Sequence, residues 1–255
     1  MNLGSATSLF AAACVAAASA AQALPFSERT SFELFAGGNA SMPGSFRGQT
    51  APFETVDPPG STVYTDLKFD DAYKHAYTAG VELDYALNSR LTSFGRFAYS
   101  QFDGSSQVIG NFDSPTQDAL DPIDARFADT TTREFDVGAR YTFAPGARFR
   151  PFVGAALGVD HLAATRAAVT NPGGTGTTSV ELGRADDVFQ QRVETGLQFS
   201  PMPNFDLRLT AAASHVNADT RSNDPNLALV GLDNTHGDVR AHWDYPAELG
   251  AVWHF

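Results

Sequence analysis

Ser214 and His215 are neighbours in the sequence, and hydrolases use a serine close to a histidine as nucleophile and general base. Both lie in the segment FDLRLTAAASHV, where apolar and polar side chains alternate. Adjacent residues of an extended strand point to opposite faces of a sheet. We therefore expect the two side chains to lie on opposite faces, and we predict no catalytic residue and no enzymatic activity.

Two segments combine carboxylates with histidine and could hold a divalent cation loosely through oxygen-rich ligands. They are FDDAYKH, with Asp70, Asp71 and His75, and DNTHGD, with Asp233, His236 and Asp238. Both lie in Gly-, Asp- and Asn-containing stretches that are typical of solvated loops. The Gly-rich segment NPGGTGTTS has neither the lysine nor the following helix of a phosphate-binding loop. We predict no metal site and no cofactor.

A larger set of charged residues recurs at alternate positions inside apolar segments. In YTAGVELDYAL, Glu82 and Asp84 share one face, whereas Val81 and Leu83 share the other. The charged face formed in this way carries Glu33, Glu82, Asp84, Arg96, Glu134, Asp136, Arg140, Arg192, Glu194, Asp206, Arg208, Asp244 and Glu248. Such a set can pair internally, line a path for ions, or supply two carboxylates for acid–base catalysis.

The alternation at period two predicts strands rather than helices, because positions three or four apart mix charged and apolar residues. Eight strands are predicted, at about 31–38, 75–87, 90–103, 130–144, 149–165, 186–200, 205–217 and 240–255. Two of them fit less well. Phe94 and Phe102 share a face with Arg96, which indicates either a bulge or an apolar filler inside, and Phe152 lies opposite the apolar face of Val153.

The connections alternate between short turns and long segments. The short ones are 88–89, 145–148 and 201–204, and the long ones are about 39–74, 104–129, 166–185 and 218–239, with the composition of solvated loops. Several apolar faces also begin and end in aromatic residues, as strands that cross a bilayer do. These features predict an all-β fold: an eight-stranded antiparallel up-and-down transmembrane β-barrel. A soluble lipocalin-like barrel would instead keep apolar side chains inside.

Bulk properties exclude other classes. The 255 residues carry a formal charge of −12, so no basic stripe exists for nucleic acid. Mean hydropathy is −0.19, and no run approaches the roughly 20 apolar residues of a transmembrane helix. Residues 1–23 read as a cleaved signal peptide that ends at Ala21-Gln22-Ala23 and removes Cys14, the only cysteine. Residues 24–255 then form the barrel domain.

The segment FDVGARYTFAPGARFRPFVGAALGV, with its Tyr-x-Phe, tight turn and Arg-Pro-aromatic opening, resembles the small outer-membrane β-barrel family that includes the opacity proteins. The closing residues Leu249, Ala251, Trp253 and Phe255 resemble that family's carboxyl-terminal assembly signal. The resemblance implies insertion by the barrel-assembly machinery into the bacterial outer membrane, contact with membrane lipids and lipopolysaccharide, and a monomer.

For the barrel interior we favour a plug of salt bridges, because an eight-stranded barrel is just wide enough for side chains to fill it. The function predicted for the chain is a non-enzymatic surface interaction or a role in envelope integrity, through the outer loops and an extracellular ligand. The alternative is a small cation-preferring porin, which the nine acidic and four basic inward side chains favour. A lipid-modifying outer-membrane enzyme is the second alternative.

Overall fold

The computed structural model describes residues 29–39, 45–46, 50–53, 60–113, 120–171, 176–217, 222, 224–230, 232, 237–238 and 242–255. The predicted signal peptide lies outside these ranges, as do Asp233 and His236. Within them, no helix has the length and apolarity that a membrane crossing requires. The single α-helix described, α1, is the four-residue turn Phe69–Ala72.

Strands make up most of the described chain. In chain order they are β1 (Thr30–Asn39), β2 (Ser45–Phe46), β3 (Thr50–Phe53), β4 (Gly60–Tyr64), β5 (Leu67–Lys68), β6 (Tyr73–Ala86), β7 (Leu91–Gly104), β8 (Ser106–Asp113), β9 (Asp121–Phe127), β10 (Thr130–Thr142), β11 (Phe149–Leu162), β12 (Thr165–Thr170), β13 (Thr177–Gly183), β14 (Asp186–Met202), β15 (Phe205–Asn217), β16 (Gly237–Asp238), β17 (His242–Asp244) and β18 (Pro246–His254).

Eight of these strands form a closed antiparallel barrel. Neighbours follow the order β14, β11, β10, β7, β6, β1, β18 and β15, and the pairing of β14 with β15 closes the sheet. The first and last strands of the barrel are joined from Ser31 opposite His254 to Asn39 opposite Pro246. The predicted fold class is confirmed. The predicted eighth strand is divided in two, since Tyr245 separates β17 from β18.

The alternation in the sequence determines which side chains face the barrel interior, the lumen. On β10, Asp136 is fully buried, whereas the next residue, Val137, is 55% exposed on the outer wall. The register between β7 and β10 runs without a shift from Leu91 to Phe102. Phe94 and Phe102 therefore point inward without a bulge, which leaves the apolar filler as the correct one of the two predicted alternatives.

The two ends of the barrel differ. At one end, the turn end, short connections join the strands around residues 87–90, 143–148 and 203–204. The side chain of Asn88 stabilises the first of these by accepting hydrogen bonds from the backbone amides of Arg90 and Leu91, each at 2.9 Å. At the other end, the loop end, the described parts of the long connections are folded.

The described parts of the long connections form a six-stranded antiparallel sheet, the outer sheet, in the order β13, β12, β9, β8, β4 and β3. A smaller three-stranded sheet joins β16, β2 and β5. The interpretation of these connections as solvated loops is therefore wrong for these strands. Their alternation is short but present: in β9, Ile123, Ala125 and Phe127 are buried, whereas Asp124 and Arg126 are exposed.

A single apolar core joins the outer sheet to the barrel mouth. From the outer sheet it takes side chains such as Ile123, Val169 and Val180, and from the barrel strands it takes Phe102 and Val216. A 3-10 turn, Pro225–Val230, adds its buried side chains to the same core. The outer sheet therefore packs on the mouth of the barrel. We call the shared core, which includes Ile123, Val169, Val180, Phe102 and Val216, the apolar cap, because it lies over the loop end of the lumen.

Candidate functional site

The charged residues predicted for the lumen lie on the inner face of the barrel. Glu134 is partly exposed, and the other twelve are buried: Glu33, Glu82, Asp84, Arg96, Asp136, Arg140, Arg192, Glu194, Asp206, Arg208, Asp244 and Glu248. Alternation along the strands brings them inward, and the small diameter of the barrel brings them together across the lumen. Eleven of the thirteen separate into two clusters, one towards each end of the barrel, and Asp206 and Asp244 lie outside both clusters.

The turn-side cluster is built around Arg140 and Arg208. The Arg140 guanidinium donates to Glu82 Oε1 at 2.9 Å and to Asp84 Oδ1 at 3.3 Å, and its Nη2 lies 2.7 Å from Glu194 Oε1. Arg208 donates to the same Glu82 oxygen at 2.6 Å, to Asp84 Oδ2 at 2.7 Å, and to Glu33. Each guanidinium therefore serves three carboxylates.

The loop-side cluster repeats this plan with Arg96 and Arg192. Arg96 donates to Glu134 Oε2 at 2.9 Å, to Asp136 Oδ2 at 3.2 Å, and to Glu248. Arg192 Nη2 donates to Glu248 Oε2 at 3.0 Å. Its Nε lies 3.4 Å from Glu194 Oε2, and this contact links the loop-side cluster to the turn-side cluster.

Aromatic rings fill the space that the charges leave. The guanidinium carbon of Arg140 lies 4.6 Å from the ring centre of Phe94 and 4.9 Å from that of Phe152. Arg96 lies in the same way 4.5 Å above Phe35. Cations over ring faces gain electrostatic energy when both groups are desolvated. The inward side chains of Phe35, Phe94 and Phe152 are therefore partners of the arginines, whereas Phe102 packs in the apolar core.

A third group of polar side chains closes the turn end. Asp206 accepts from Arg150 and lies 2.5 Å from Gln198 Nε2 and 2.6 Å from His254 Nε2. A cavity of 180 Å³ adjoins this group and reaches the turn-side cluster at Asp84 and Arg208. Arg150 was not predicted to lie in the lumen, although it has the inward parity of Phe152 on β11.

Two more inward residues, Asp160 and Gln190, were also missed. Gln190 Nε2 donates to Asp136 Oδ1 at 2.8 Å, and Asp160 is 3% exposed. Both follow the parity of their strands, so a complete list of inward positions would have included them. With Arg150 and Asp160, the described lumen holds ten acidic side chains and five arginines.

The arrangement leaves little room for acid–base chemistry. Within the described residues, one set of three carboxylates has the spacing of metal ligands: Glu33, Glu82 and Asp84. Arg208 donates to all three and Arg140 to two of them, so guanidinium groups occupy the place of an ion. The geometry is that of a salt-bridge network, in which buried charges compensate one another.

Ser214 and His215 lie on opposite faces of β15, as their adjacency predicts. Ser214 is buried in the lumen, whereas His215 faces outward with its ring 4.9 Å from that of Trp243. Asp70 and Asp71 are exposed on α1. The side chains of His75 and Asp238 are outside the part of the chain that the structure describes.

The outer wall of the barrel is apolar. Residues such as Leu83, Phe135 and Leu249 are between 56% and 58% exposed, without a protein surface to cover them. A polar row crosses the wall at its loop end, where Arg133 is the register partner of Tyr99 and of His161. A closed barrel has no unpaired strand edges, so its backbone is satisfied within hydrocarbon, and an exposed apolar band requires hydrocarbon around it.

This chain is an outer-membrane β-barrel. The predicted assembly-signal residues Leu249, Ala251, Trp253 and Phe255 lie on the outer wall at and beyond β18. The Trp253 ring lies 5.6 Å from Phe205 and 6.4 Å from Phe32, on the two neighbouring strands. The position places an aromatic group at the turn-end membrane boundary, and its role in assembly stays a prediction.

No protein-family model and no curated protein matches the sequence of this outer-membrane barrel. Among solved structures it is similar to Neisserial surface protein A, at 12% identity and a TM-score of 0.42 over 89% of this chain and 97% of that one. It is similar to Ail of Yersinia pestis, at 15% identity and a TM-score of 0.41 over 89% and 99%. The outer membrane enzyme PagL is similar at 17% identity and a TM-score of 0.36 over 88% and 99%.

Proposed function

We propose that this outer-membrane barrel is a non-enzymatic surface protein that binds an extracellular ligand through its outer sheet, and that its lumen does not conduct ions. The observation that carries the proposal is the apolar cap. It fixes a six-stranded sheet over the barrel mouth and leaves the other face of that sheet exposed. A folded platform of this kind binds with a smaller loss of conformational freedom than mobile loops.

The exposed side of the platform contains a concave site. A cavity of 540 Å³ is lined by Arg166, Arg184, Glu181, Asp224 and Asn226, together with Ser179 and Val180. The Arg166 side chain is 64% exposed, and it lies 3.4 Å from Glu181. Hydrogen bonds hold the floor of the site: Asp224 accepts from the amide of Glu181 at 2.6 Å and from that of Asn226 at 2.9 Å.

Two arginines beside a rigid hydrogen-bonded floor favour a ligand with sulfate or carboxylate groups, because guanidinium groups recognise such anions through paired donors. The proposed ligand is therefore an anionic saccharide at the cell surface of another organism or of the same envelope. The heparin analogue sucrose octasulfate is the ligand in one structure of Ail. Heparin is accordingly a suitable first probe.

The binding test compares cells that display the wild-type chain with cells that display the double variant R166Q/R184Q, using fluorescent heparin. We expect at least a tenfold loss of bound heparin in the double variant. The matched control is Arg126→Gln, since Arg126 is exposed on the same sheet outside the concave site. Equal binding by all three proteins, or no binding by the wild type, contradicts this ligand class and site.

The predicted alternative, a cation-preferring porin, requires a continuous aqueous path. The side chains of Arg96, Arg140, Arg192 and Arg208 are all at most 3% exposed, and the apolar cap lies over one end of the lumen. These features support a lumen without a continuous aqueous path. Planar-bilayer recordings of the folded protein should show no discrete conductance steps, and reproducible cation-selective steps would replace our proposal by the porin.

The second alternative is an enzyme that acts on lipid. The separation of Ser214 from His215 removes the serine–histidine pair suggested by the sequence. Lipid A from cells that overexpress the chain should therefore have an unchanged mass spectrum. New deacylated species that depend on the chain would favour the enzyme over the surface-binding role.

A further inference from the structure

The lumen contains a polar layer directly beneath the apolar cap. Ser100, Asp160, Gln190 and Ser214 are buried, and on each strand the next inward residue towards the loop end packs in or against the apolar core. Those next residues are Phe102, Leu162, Val188 and Val216. Asp244 and Glu134 join the layer as register partners of Ser214 and Asp160. We call these six residues the sub-cap layer.

Two groups of the sub-cap layer have polar atoms without a partner. One carboxylate oxygen of Asp160, Oδ1, is buried and accepts no hydrogen bond from the described residues, and the side chain is 3% exposed. The hydroxyl of Ser214 is likewise buried without a hydrogen-bond partner in the described part of the protein. A buried polar atom left unsatisfied costs about 1–3 kcal/mol, so each of these atoms calls for a ligand.

The charge around Asp160 is unbalanced. The charged groups that act on it are the carboxylates of Glu134, Asp136 and Asp244, with no arginine among the described residues. Arg96, the cation next to Glu134, is already shared among Glu134, Asp136 and Glu248. Like charges that face each other across two strands are destabilising, and Glu134 and Asp160 are direct register partners.

The oxygen ligands available in the layer belong to the carboxylates of Asp160, Glu134 and Asp244, to two serine hydroxyls and to the amide of Gln190. Hard cations prefer such ligands, and Ca²⁺ accepts irregular arrangements of them, whereas Mg²⁺ demands near-octahedral geometry and keeps its water. The other acidic group of the lumen, Glu33 with Glu82 and Asp84, is filled by Arg140 and Arg208. In the sub-cap layer, by contrast, no arginine among the described residues acts on Asp160.

We propose that the sub-cap layer binds one divalent cation of the calcium type, with Asp160 as its principal ligand and Ser214 and Asp244 as further oxygen donors. The cation neutralises part of the carboxylate excess and satisfies the two orphan oxygens. The apolar cap excludes bulk water from the loop end, which strengthens the electrostatic interaction and retains the ion. The ion is therefore a structural component that connects β11 with β15 and β17.

The test uses the full chain folded into detergent micelles in the presence of CaCl₂, dialysed against calcium-free buffer, and analysed for metal by mass spectrometry. We expect one calcium per wild-type chain that resists dialysis. Asp160→Asn keeps the size of the side chain and removes its charge, and it should reduce the retained calcium at least tenfold. Asp124→Asn, on the exposed face of the outer sheet, is the matched control and should retain calcium.

Ser214→Ala provides a second variant that changes no charge, and we expect it to weaken calcium retention several-fold. The heat-dependent shift in gel mobility verifies that each variant is folded before its metal is measured. Absence of retained calcium in the folded wild type overturns the proposal. Equal retention by the wild type and Asp160→Asn overturns it too, since the metal then lies elsewhere.

Discussion

Substitution of Arg140 by glutamine tests whether the luminal salt bridges hold the barrel together. Arg140 pairs with Glu82, Asp84 and Glu194, and it also lies over two phenylalanine rings. Glutamine keeps hydrogen-bonding capacity but removes the positive charge. Arg208 would then be the only arginine facing the four carboxylates of the turn-side cluster, with Arg192 reaching Glu194 from the adjoining cluster at 3.4 Å.

The expected loss follows from the burial of the site. Removing one partner of a buried ion pair typically costs about 3–5 kcal/mol, because an uncompensated charge stays in a low-dielectric interior. Arg140 is 2% exposed, so solvent cannot compensate for the missing cation. A free energy of this size corresponds to a change of about two to four orders of magnitude in the unfolding equilibrium constant.

The assay is urea unfolding in lipid vesicles, followed by the fluorescence of the two tryptophans. Arg133→Gln is the matched control, because Arg133 is exposed on the outer wall, and we expect a change within about 0.5 kcal/mol. The double variant R140Q/E194Q should recover part of the stability, since it restores the charge balance. A loss below about 1 kcal/mol for Arg140→Gln would refute the view that the network stabilises the barrel.

Two further predictions concern the outer sheet and the carboxyl terminus. Burial raises the pKa of Tyr64, whose hydroxyl donates to the carbonyl of Val230. Its neutral form is therefore favoured in the folded state. The stability it contributes is complete below the unfolded pKa of about 10 and is lost as the pH rises above it. Unfolding between pH 8 and pH 11 should thus be less pH-dependent in Tyr64→Phe, and an identical dependence in both proteins would contradict the assignment. Removal of Phe255 or its substitution by aspartate should lower the yield of heat-modifiable protein in the outer membrane, because the terminal aromatic residue is predicted to form part of the assembly signal. Undiminished yield would exclude that role.

The barrel could be predicted from the sequence because each of its strands has a long alternating pattern. The strand predicted at 205–217 is observed as Phe205–Asn217, and inward positions such as Asp206 and Arg208 follow from parity. The pairing within the lumen could not be predicted in the same way. Which carboxylates Arg140 reaches depends on the register of strands far apart in the chain and on the stagger of the barrel.

The outer sheet was not predicted because its strands alternate with the same period as those of the barrel, although their apolar side chains face a protein core and not lipid. In the barrel, the apolar side chain of each alternating pair faces lipid, as Val137 does. In β9 the apolar side chain, as at Ile123, faces a protein core instead. Alternation over four to eight residues cannot distinguish these environments, since the partner strands come from three separate connections. Gly- and Asp-rich composition then favoured the interpretation as solvated loops.

The shared core has a mechanical consequence for the proposed binding at the cell surface. Val188 and Val216 belong to barrel strands, whereas Val169 and Val180 belong to the outer sheet, and all four are at most 4% exposed in one cluster. Displacing the sheet would expose this apolar surface to water, at a cost that grows with the area exposed. The orientation of the concave site around Arg166 is therefore fixed relative to the barrel axis and the membrane plane. The proposed ligand would therefore meet a surface that is already ordered, and its affinity would depend on the contacts themselves and little on folding of the platform.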